Sequence, residues 1–216
     1  MPPPKVPDSA SSGVGKKSEG RIKIVSTGPV GVGKSCLVKQ YCEGRFVSKY
    51  IPTIGIDYGV KTVEVRAPTH LSPTGRLSVR VNFWDMSGCE EYLEIRNEFY
   101  RATEGVLLVY DVTNMESFTA LNGWVKEMET HMNTKGSDTL VARADPSAPC
   151  KVVVCANKID ETTEKGGKKK RMVNEEAGRK WAKDRGYKYF ETSACSGVGV
   201  EEAFETLFKD VVEAFF

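Results

Sequence analysis

The sequence has little histidine, no paired-cysteine motif and no long apolar run. Its two histidines, His70 and His131, both lie in loop-like sequence, which argues against a histidine-rich metal site and against a Ser-His-Asp hydrolase. The six cysteines show no C-x-x-C spacing, and the start of the chain shows no signal-peptide pattern. Free thiols in a reducing compartment are therefore favoured over disulfides. No segment approaches the ~18 continuous apolar residues of a membrane span.

The chain also lacks a dominant sign of charge. It has 31 lysine and arginine residues against 29 aspartate and glutamate residues, a net charge of +2, which gives no electrostatic reason to expect a nucleic-acid partner. Its 216 residues and hydrophobic share of 40% suit one globular domain of moderate size. Residues 1–20 are rich in Pro, Ser, Gly and Lys and are predicted to form a disordered arm. The globular domain is predicted over residues 21–216.

What the sequence does contain is a glycine-rich stretch at residues 28–35, GPVGVGKS. It fits the pattern G-x-x-x-x-G-K-[ST], whose backbone N–H groups wrap nucleotide phosphates. Residues 22–25 before it predict a strand, and residues 35–43 after it predict a helix that Gly44 ends. Lys34 would reach the β- and γ-phosphates, and the Ser35 hydroxyl would ligate Mg²⁺. The residues expected to bind nucleotide here are Gly28, Val30, Gly31, Val32, Gly33, Lys34, Ser35 and Cys36.

Apolar patterns along the rest of the chain alternate between strand and helix. Residues 60–66 and 77–84 alternate apolar and polar side chains, as in an antiparallel hairpin with a long polar turn. The runs 105–110 and 151–156 are continuously apolar, as in buried parallel strands, and helical spacing follows each of them. We therefore predict a doubly wound α/β sheet whose ligand lies at the carboxyl ends of the strands. The predicted insertions lie near 67–76 and 133–150.

An acidic motif closes the third predicted strand, Asp85-Met86-Ser87-Gly88. The Asp85 carboxylate can hold Mg²⁺ through water, and the Gly88 N–H can meet a γ-phosphate. An ordinary Asp-Gly turn is the alternative interpretation.

The stretch NKID at residues 157–160 directly follows the fifth predicted strand. The Asp160 carboxylate can accept two N–H bonds from the edge of guanine, which adenine does not offer. The Lys158 stem can lie flat over the purine ring, and ETSA at residues 191–194 would supply a backbone N–H for the guanine oxygen. Together with the glycine-rich stretch, these motifs predict a guanine-nucleotide site. The residues expected at the base are Asn157, Lys158, Asp160, Ser193, Ala194 and Cys195.

Over about residues 21–214 the sequence resembles the Ras superfamily of small GTPases. The residues that carry the resemblance are GPVGVGKS, PTIGIDY at 52–58, WDMSG, NKID and ETSA. The resemblance implies a Ras-like P-loop GTPase fold, an α/β fold with a mostly parallel six-stranded sheet, one antiparallel edge strand and helices on both faces. It implies Mg²⁺ and GTP or GDP as bound ligands. Thr53 would then hold Mg²⁺ and the γ-phosphate, Phe46 would pack against guanine, and Tyr50 would lie over the phosphates.

Within that superfamily the run TIGIDY at 53–58 resembles the Rab branch, and IRNEFY at 95–100 is most similar to its RJL group. Some RJL members carry an added J domain, which these 216 residues do not include. The resemblance implies that switch loops 46–58 and 85–100 recruit effector proteins, and that a GEF and a GAP act on the chain. The effector-binding residues that it implies are Ile54, Ile56, Tyr58, Trp84 and Phe99.

Two departures from the family pattern fall at the catalytic centre. Cys89 stands where the family places the glutamine that orients the attacking water, and a thiol is a weak donor and acceptor. Val30 stands where many Ras and Rab proteins have a small residue, and its branched side chain should crowd the γ-phosphate. We therefore expect intact nucleotide binding, weak GTP hydrolysis and a GTP-bound resting state. The residues expected to govern catalysis are Lys34, Thr53, Gly88, Cys89 and Val30.

Two rival functions fit the same motifs. A conventional cycling GTPase could receive the missing glutamine in trans, since TBC-type activators of Rabs supply one. A non-hydrolysing scaffold could use bound nucleotide as a structural ligand. A P-loop ATPase or kinase is disfavoured because Asp160 would meet the wrong edge of adenine.

The remaining feature is the basic run KGGKKKR at residues 165–171. A solvated loop is the favoured interpretation, with nuclear import or contact with anionic lipid as alternatives. The sequence shows no prenylation cysteines near Phe216 and has proline at position 2, so no lipid anchor is evident in these residues. An unlipidated protein and a longer chain that continues beyond Phe216 both fit this observation. We expect a cytoplasmic monomer, with nuclear localisation as the alternative.

Overall fold

The computed structural model describes residues 20–49, 51–132 and 149–216. The sequence predictions for residues 1–19, Tyr50 and residues 133–148 lie outside this described part of the chain. Within the described ranges, no helix combines the length and the apolar character that crossing a bilayer requires.

A six-stranded sheet forms the centre of the molecule, in the order β2-β3-β1-β4-β5-β6. Every neighbouring pair in it is parallel except β2 and β3, so β2 is the antiparallel edge strand. The predicted fold class is confirmed. The strands are β1 (Gly20–Thr27), β2 (Ile56–Arg66), β3 (Arg76–Met86), β4 (Gly105–Asp111), β5 (Lys151–Asn157) and β6 (Lys188–Glu191).

Helices cover both faces of the sheet and create two hydrophobic cores. On one face Ile24 and Phe83 pack with α1 and α6, and on the other Val25 and Tyr110 pack with α4 and α5. Burial of apolar side chains on both faces is the main stabilising term of such a layered fold. The helices are α1 (Lys34–Glu43), α2 (Leu93–Phe99), α3 (Met115–Thr119), α4 (Leu121–Met132), α5 (Glu175–Lys183) and α6 (Val200–Phe215).

Local sequence explains these elements. All residues of β4 are buried, as its continuous apolar run predicts for a central parallel strand. α1 ends at Gly44, which has a left-handed φ of 62° and donates its N–H to the Gln40 carbonyl at 2.9 Å. α6 buries one stripe at helical spacing, formed by Val200, Ala203, Phe204, Leu207, Phe208, Val211, Val212 and Phe215.

Two local expectations need correction. The hairpin is longer than its alternation predicts, because pairing extends to Ile56 opposite Met86, beyond the alternating stretch. The apolar positions are even-numbered up to Val60 and odd-numbered from Val63, so they change faces at Lys61 and Thr62. This change of phase hides the start of β2. The prediction that His131 lies in a loop is wrong. It lies in the last turn of α4, where its ring centroid is 6.5 Å from that of Tyr100.

Candidate functional site

A cleft of about 230 Å³ opens at the carboxyl ends of β1, β3, β5 and β6, where the predicted motifs meet. The predicted site residues that line it are Val30, Gly31, Gly33, Lys34, Ser35, Cys36, Phe46, Thr53, Gly88, Cys89, Asn157, Lys158, Asp160, Ala194 and Cys195. Sequence reasoning did not identify seven further lining residues, although each stands in sequence near a motif that it did identify. They are Lys39, Val47, Ser48, Lys49, Ile51, Pro52 and Ser87.

Glycine is required at two positions of the loop between β1 and α1. Gly28 has a φ of 135°, and a Cβ there would lie 2.3 Å from the Val109 carbonyl oxygen. Gly33 has a φ of 100°, and a Cβ there would lie 2.3 Å from Nδ2 of Asn157. Both positions exclude a side chain on conformational and steric grounds. Gly28 itself does not line the cleft, so its part is to shape the loop.

The Lys34 side chain is folded into this loop. Its Nζ donates to the carbonyl oxygens of Gly28 at 2.7 Å and Pro29 at 2.8 Å. Burial lowers the pKa of Lys34 to about 8, while the Asp85 charge acts in the opposite direction. A cation that has lost much of its hydration interacts strongly with an incoming phosphate, as the predicted role requires.

Three oxygen donors converge beside the N-terminus of α1. The hydroxyls of Ser35 and Thr53 are 2.9 Å apart, and the Thr53 hydroxyl donates to Asp85 Oδ2 at 3.5 Å. Burial raises the pKa of Asp85 above its ordinary value, and hydrogen bonds from Ser26 and Ser35 offset only part of that increase. Hydroxyl and carboxylate oxygens are the ligands that Mg²⁺ prefers, so these residues fit the predicted metal.

Within the described residues, no cluster of histidine, cysteine or acidic side chains offers a competing metal site. Among residues 20–49, 51–132 and 149–216, no group of three or more such residues could hold a metal ion. The hydroxyl–carboxylate set of Ser35, Thr53 and Asp85 is therefore the candidate metal centre.

Asn157 joins the two loops that flank the cleft. Its Nδ2 donates to the Val32 carbonyl at 2.8 Å, while its Oδ1 accepts from the Ala194 N–H at 3.2 Å and the Thr192 hydroxyl at 3.3 Å. The Val32 side chain is buried in the core and does not line the cleft. The described contacts of Asn157 thus position the loops around the ligand site.

Asp160, the residue predicted to select guanine, is oriented by a hydrogen bond from a buried serine. Asp160 Oδ1 accepts from the buried Ser193 hydroxyl at 2.6 Å, which fixes the carboxylate at the cleft wall. Lys158 has a left-handed φ of 70°, and its Nζ lies 2.7 Å from Asp111 Oδ2. Sequence reasoning missed Asp111, although its place at the carboxyl end of buried β4 is a signal that could have identified it.

Val30 and Cys89 border the same part of the cleft. A Cβ on Gly88 would lie 2.6 Å from the Val30 nitrogen, so the segment after β3 packs directly on the glycine-rich loop. Val30 is 49% exposed, and Cys89 is half-buried. Asn157 carries the only carboxamide among the described residues that line the cleft, and none of those residues is a glutamine, arginine or histidine.

Three aromatic residues, Tyr58, Trp84 and Phe99, form a contiguous group that we call the aromatic cluster. The Trp84 ring centroid lies 4.7 Å from that of Tyr58 and 4.9 Å from that of Phe99. Tyr58 is 50% exposed, while Trp84 and Phe99 are half-buried. Of the two predicted aliphatic neighbours, Ile54 is 80% exposed and Ile56 is half-buried. The predicted effector residues thus include an accessible apolar surface.

A buried ion pair, which sequence reasoning missed, holds the segment that follows β3. Arg96 is 4% exposed, and its Nε and Nη2 donate to the two Glu127 carboxylate oxygens at 2.6 and 3.0 Å. Its Nη1 donates to the Cys89 carbonyl at 2.7 Å, and the Tyr100 hydroxyl donates to the same Glu127 at 3.0 Å. We call this group the Arg96 network. It anchors the backbone of Cys89 to α4.

The sequence profile of the Ras family matches residues 23–213. The chain is 46% identical over 194 residues to DnaJ homolog subfamily C member 27 of Gallus gallus, covering 89% of this chain and 62% of that protein. It is 46% identical to the protein of that name from Homo sapiens and 45% identical to that from Danio rerio, each over 193 residues with the same coverage. The chain thus spans about 62% of the length of these relatives.

Proposed function

We propose, from the premise that this chain belongs to the Ras family, that it hydrolyses GTP slowly and rests with GTP bound. Family membership makes it a GTP-binding switch. The matched relatives agree with the Rab-like RJL assignment predicted from the sequence. Magnesium dependence, slow hydrolysis and effector recruitment are the finer parts of the proposal.

The observation that carries the proposal is the pairing of Val30 with Cys89 beside Gly88. This end of the cleft meets the γ-phosphate if the family's binding mode applies. No glutamine lies among the described lining residues to orient water there, and the Cys89 thiol is a weak donor and acceptor. The branched Val30 side chain occupies space that a water-orienting group or an arginine finger would need.

The proposed reaction is in-line attack of water on the γ-phosphate, which is catalysed mainly by positioning and charge neutralisation. Ser35, Thr53 and Asp85 would hold Mg²⁺, which when bound supplies positive charge to the β- and γ-phosphate oxygens. Lys34 supplies a second cation from within the loop. Asp160 selects guanine over adenine by accepting N–H bonds from the base edge. These groups are intact, which supports tight binding without fast hydrolysis.

The proposed output is recruitment of effector proteins by the aromatic cluster and the neighbouring Ile54. Large, partly exposed aromatic residues are typical binding hot spots. The cluster joins β2, β3 and α2, which flank the switch loops 46–58 and 85–100. A change in those loops with the bound nucleotide would therefore change the surface that an effector meets.

A single-turnover assay on GTP-loaded protein tests the proposal. An intact Ras-type site hydrolyses GTP unaided at about 3–5 × 10⁻⁴ s⁻¹, and we expect this chain to be at least about threefold slower than that reference rate. The nucleotide that copurifies with the protein should then be mostly GTP. A rate at or above the unaided Ras range, with GDP copurifying, would replace the proposal with the conventional cycling GTPase.

Two substitutions separate the contributions of Val30 and Cys89. Cys89→Gln alone should increase the rate only slightly because Val30 still crowds the site. The double variant Val30→Gly, Cys89→Gln should be faster than either single variant, since the changes act on one step and need not be additive. A double variant no faster than the wild-type chain would show that neither residue limits hydrolysis.

A further inference from the structure

A buried serine lies behind the candidate metal centre. Ser26 is 2% exposed, and its hydroxyl donates to Asp85 Oδ1 at 2.5 Å. The two residues are register partners on the parallel strands β1 and β3, one strand position before the loops that form the cleft. Neither belongs to the described lining of the cleft. The bond therefore reaches Asp85 from the interior of the protein.

The two oxygens of Asp85 have different neighbours. Oδ1 accepts from Ser26, whereas Oδ2 lies 3.5 Å from the Thr53 hydroxyl, which is itself 2.9 Å from the Ser35 hydroxyl. A hydrogen bond to one oxygen limits rotation of the carboxyl group about its terminal torsion, which is otherwise broad. Oδ2 is thereby held toward the two hydroxyls that complete the candidate metal centre.

A purely structural role for this hydroxyl is the simpler alternative. The side chains of Ile22 and Ile24, four and two positions earlier on the same face of β1, are buried in the hydrophobic core. An apolar side chain would continue that row without the cost of burying a hydroxyl. The hydroxyl at position 26 instead donates a hydrogen bond to the carboxylate of the candidate metal centre. This contact favours a role at that centre.

We propose that Ser26 is a positioning residue for Mg²⁺ that acts through Asp85. The inference rests on the proposed function, because it requires that Ser35, Thr53 and Asp85 hold the metal. Loss of an outer-shell partner typically lowers metal affinity by about 10–100-fold. Because Asp85 is expected to reach Mg²⁺ through water, Ser26 lies one contact further out, and we expect the lower end of that range. Since bound Mg²⁺ retains the nucleotide, the loss should appear as faster nucleotide release at limiting Mg²⁺.

The test measures release of a fluorescent, non-hydrolysable GTP analogue from the full chain across a series of free Mg²⁺ concentrations. We expect Ser26→Ala to need about tenfold more Mg²⁺ than wild type for half-maximal retention. At saturating Mg²⁺ its release rate should approach that of wild type. Ser72→Ala is the matched control, because Ser72 is also buried and its hydroxyl donates to the Arg76 carbonyl at 2.5 Å. It lies in the turn of the β2–β3 hairpin, at the opposite end of β3 from the cleft, and should leave the Mg²⁺ requirement unchanged.

The outcomes distinguish the inference from the function on which it rests. If release from the wild-type chain does not depend on Mg²⁺, the proposed metal site is wrong. If wild type depends on Mg²⁺ and Ser26→Ala requires the same concentration, or if Ser72→Ala shifts equally, the inference about Ser26 is wrong. Should Ser26→Ala fail to fold, Ser26→Cys keeps a similar volume with a weaker donor. It should shift the requirement in the same direction, and the absence of a shift would overturn the inference.

Discussion

Asp160 shows how one carboxylate can determine the choice of base when its orientation is fixed. The Ser193 hydroxyl donates to Oδ1 at 2.6 Å, so the group does not rotate freely at the cleft wall. A carboxylate held in this way accepts N–H bonds from guanine but repels the ring acceptor of adenine. We therefore expect the choice of base to depend on two residues from different loops.

Substituting Asp160→Asn should change the preferred base. The substitution removes an acceptor for guanine N–H groups and adds a donor suited to the 2-oxo group of xanthine. With one hydrogen bond to a charged group lost, worth about 1.5–3 kcal/mol, and the remaining one made to a neutral oxygen, GTP affinity should fall at least about tenfold. A competition assay with GTP, ATP and XTP measures this, with Glu161→Gln as a control one residue away and outside the described lining. Equal affinity of the unmodified chain for ATP and GTP would contradict the role.

The site residues that could be predicted from the sequence all belong to contiguous motifs. Lys34, Ser35 and Asp160 belong to such motifs, and the cleft brings them together. Ser26 and Arg96 act through partners 59 and 31 residues away, so their roles depend on tertiary pairing that no local pattern contains. The weak local signal that points to Ser26 is a serine that directly follows an apolar strand pattern.

The same limit applies to whole elements. β4 and β5 are predictable because both of their faces are covered, which demands continuous apolar sequence. The start of β2 cannot be predicted in this way, because an edge strand with one exposed face tolerates polar residues and glycine. α2 has only seven residues, from Leu93 to Phe99, which is too short for helical periodicity to be distinctive.

The Arg96 network ties α2 to α4, so Glu127→Gln should loosen α2. The substitution leaves the buried Arg96 guanidinium without a counter-charge, and breaking a buried pair costs about 3–5 kcal/mol. Hydrogen exchange should accelerate across residues 85–100, and denaturant unfolding should show the lower stability. Glu98→Gln, at an exposed position of α2, is the matched control. Unchanged exchange in Glu127→Gln would mean that other contacts hold the helix.

At the scale of the whole molecule, the aromatic cluster joins β2, β3 and α2 into one surface. Tyr58→Ala should abolish effector capture that depends on GTP, because a hot-spot residue contributes about 2 kcal/mol or more, roughly thirtyfold in affinity. Nucleotide affinity should not change, since Tyr58 does not line the cleft. Capture from lysate on protein loaded with GDP or with a GTP analogue measures the effect.

Val60→Ala is the control for that experiment, because Val60 is an exposed aliphatic residue on the same strand outside the cluster. It should capture the same proteins as wild type. Capture that is identical with GDP and with the GTP analogue would instead favour the scaffold, in which nucleotide is a structural ligand.

The carboxamide of Asn157 has a consequence for the energetics of the whole ligand. One planar group bonds the phosphate-side loop through Val32, 125 residues away in sequence, and the base-side loop through Ala194, 37 residues away. Because one planar group makes both bonds, a shift of either loop disturbs the hydrogen bonds that hold the other. A guanine base alone and a polyphosphate alone each order only half of this frame. Their separate binding free energies therefore should not sum to that of the intact nucleotide, and we expect Asn157 to contribute to the coupling free energy between the two ends.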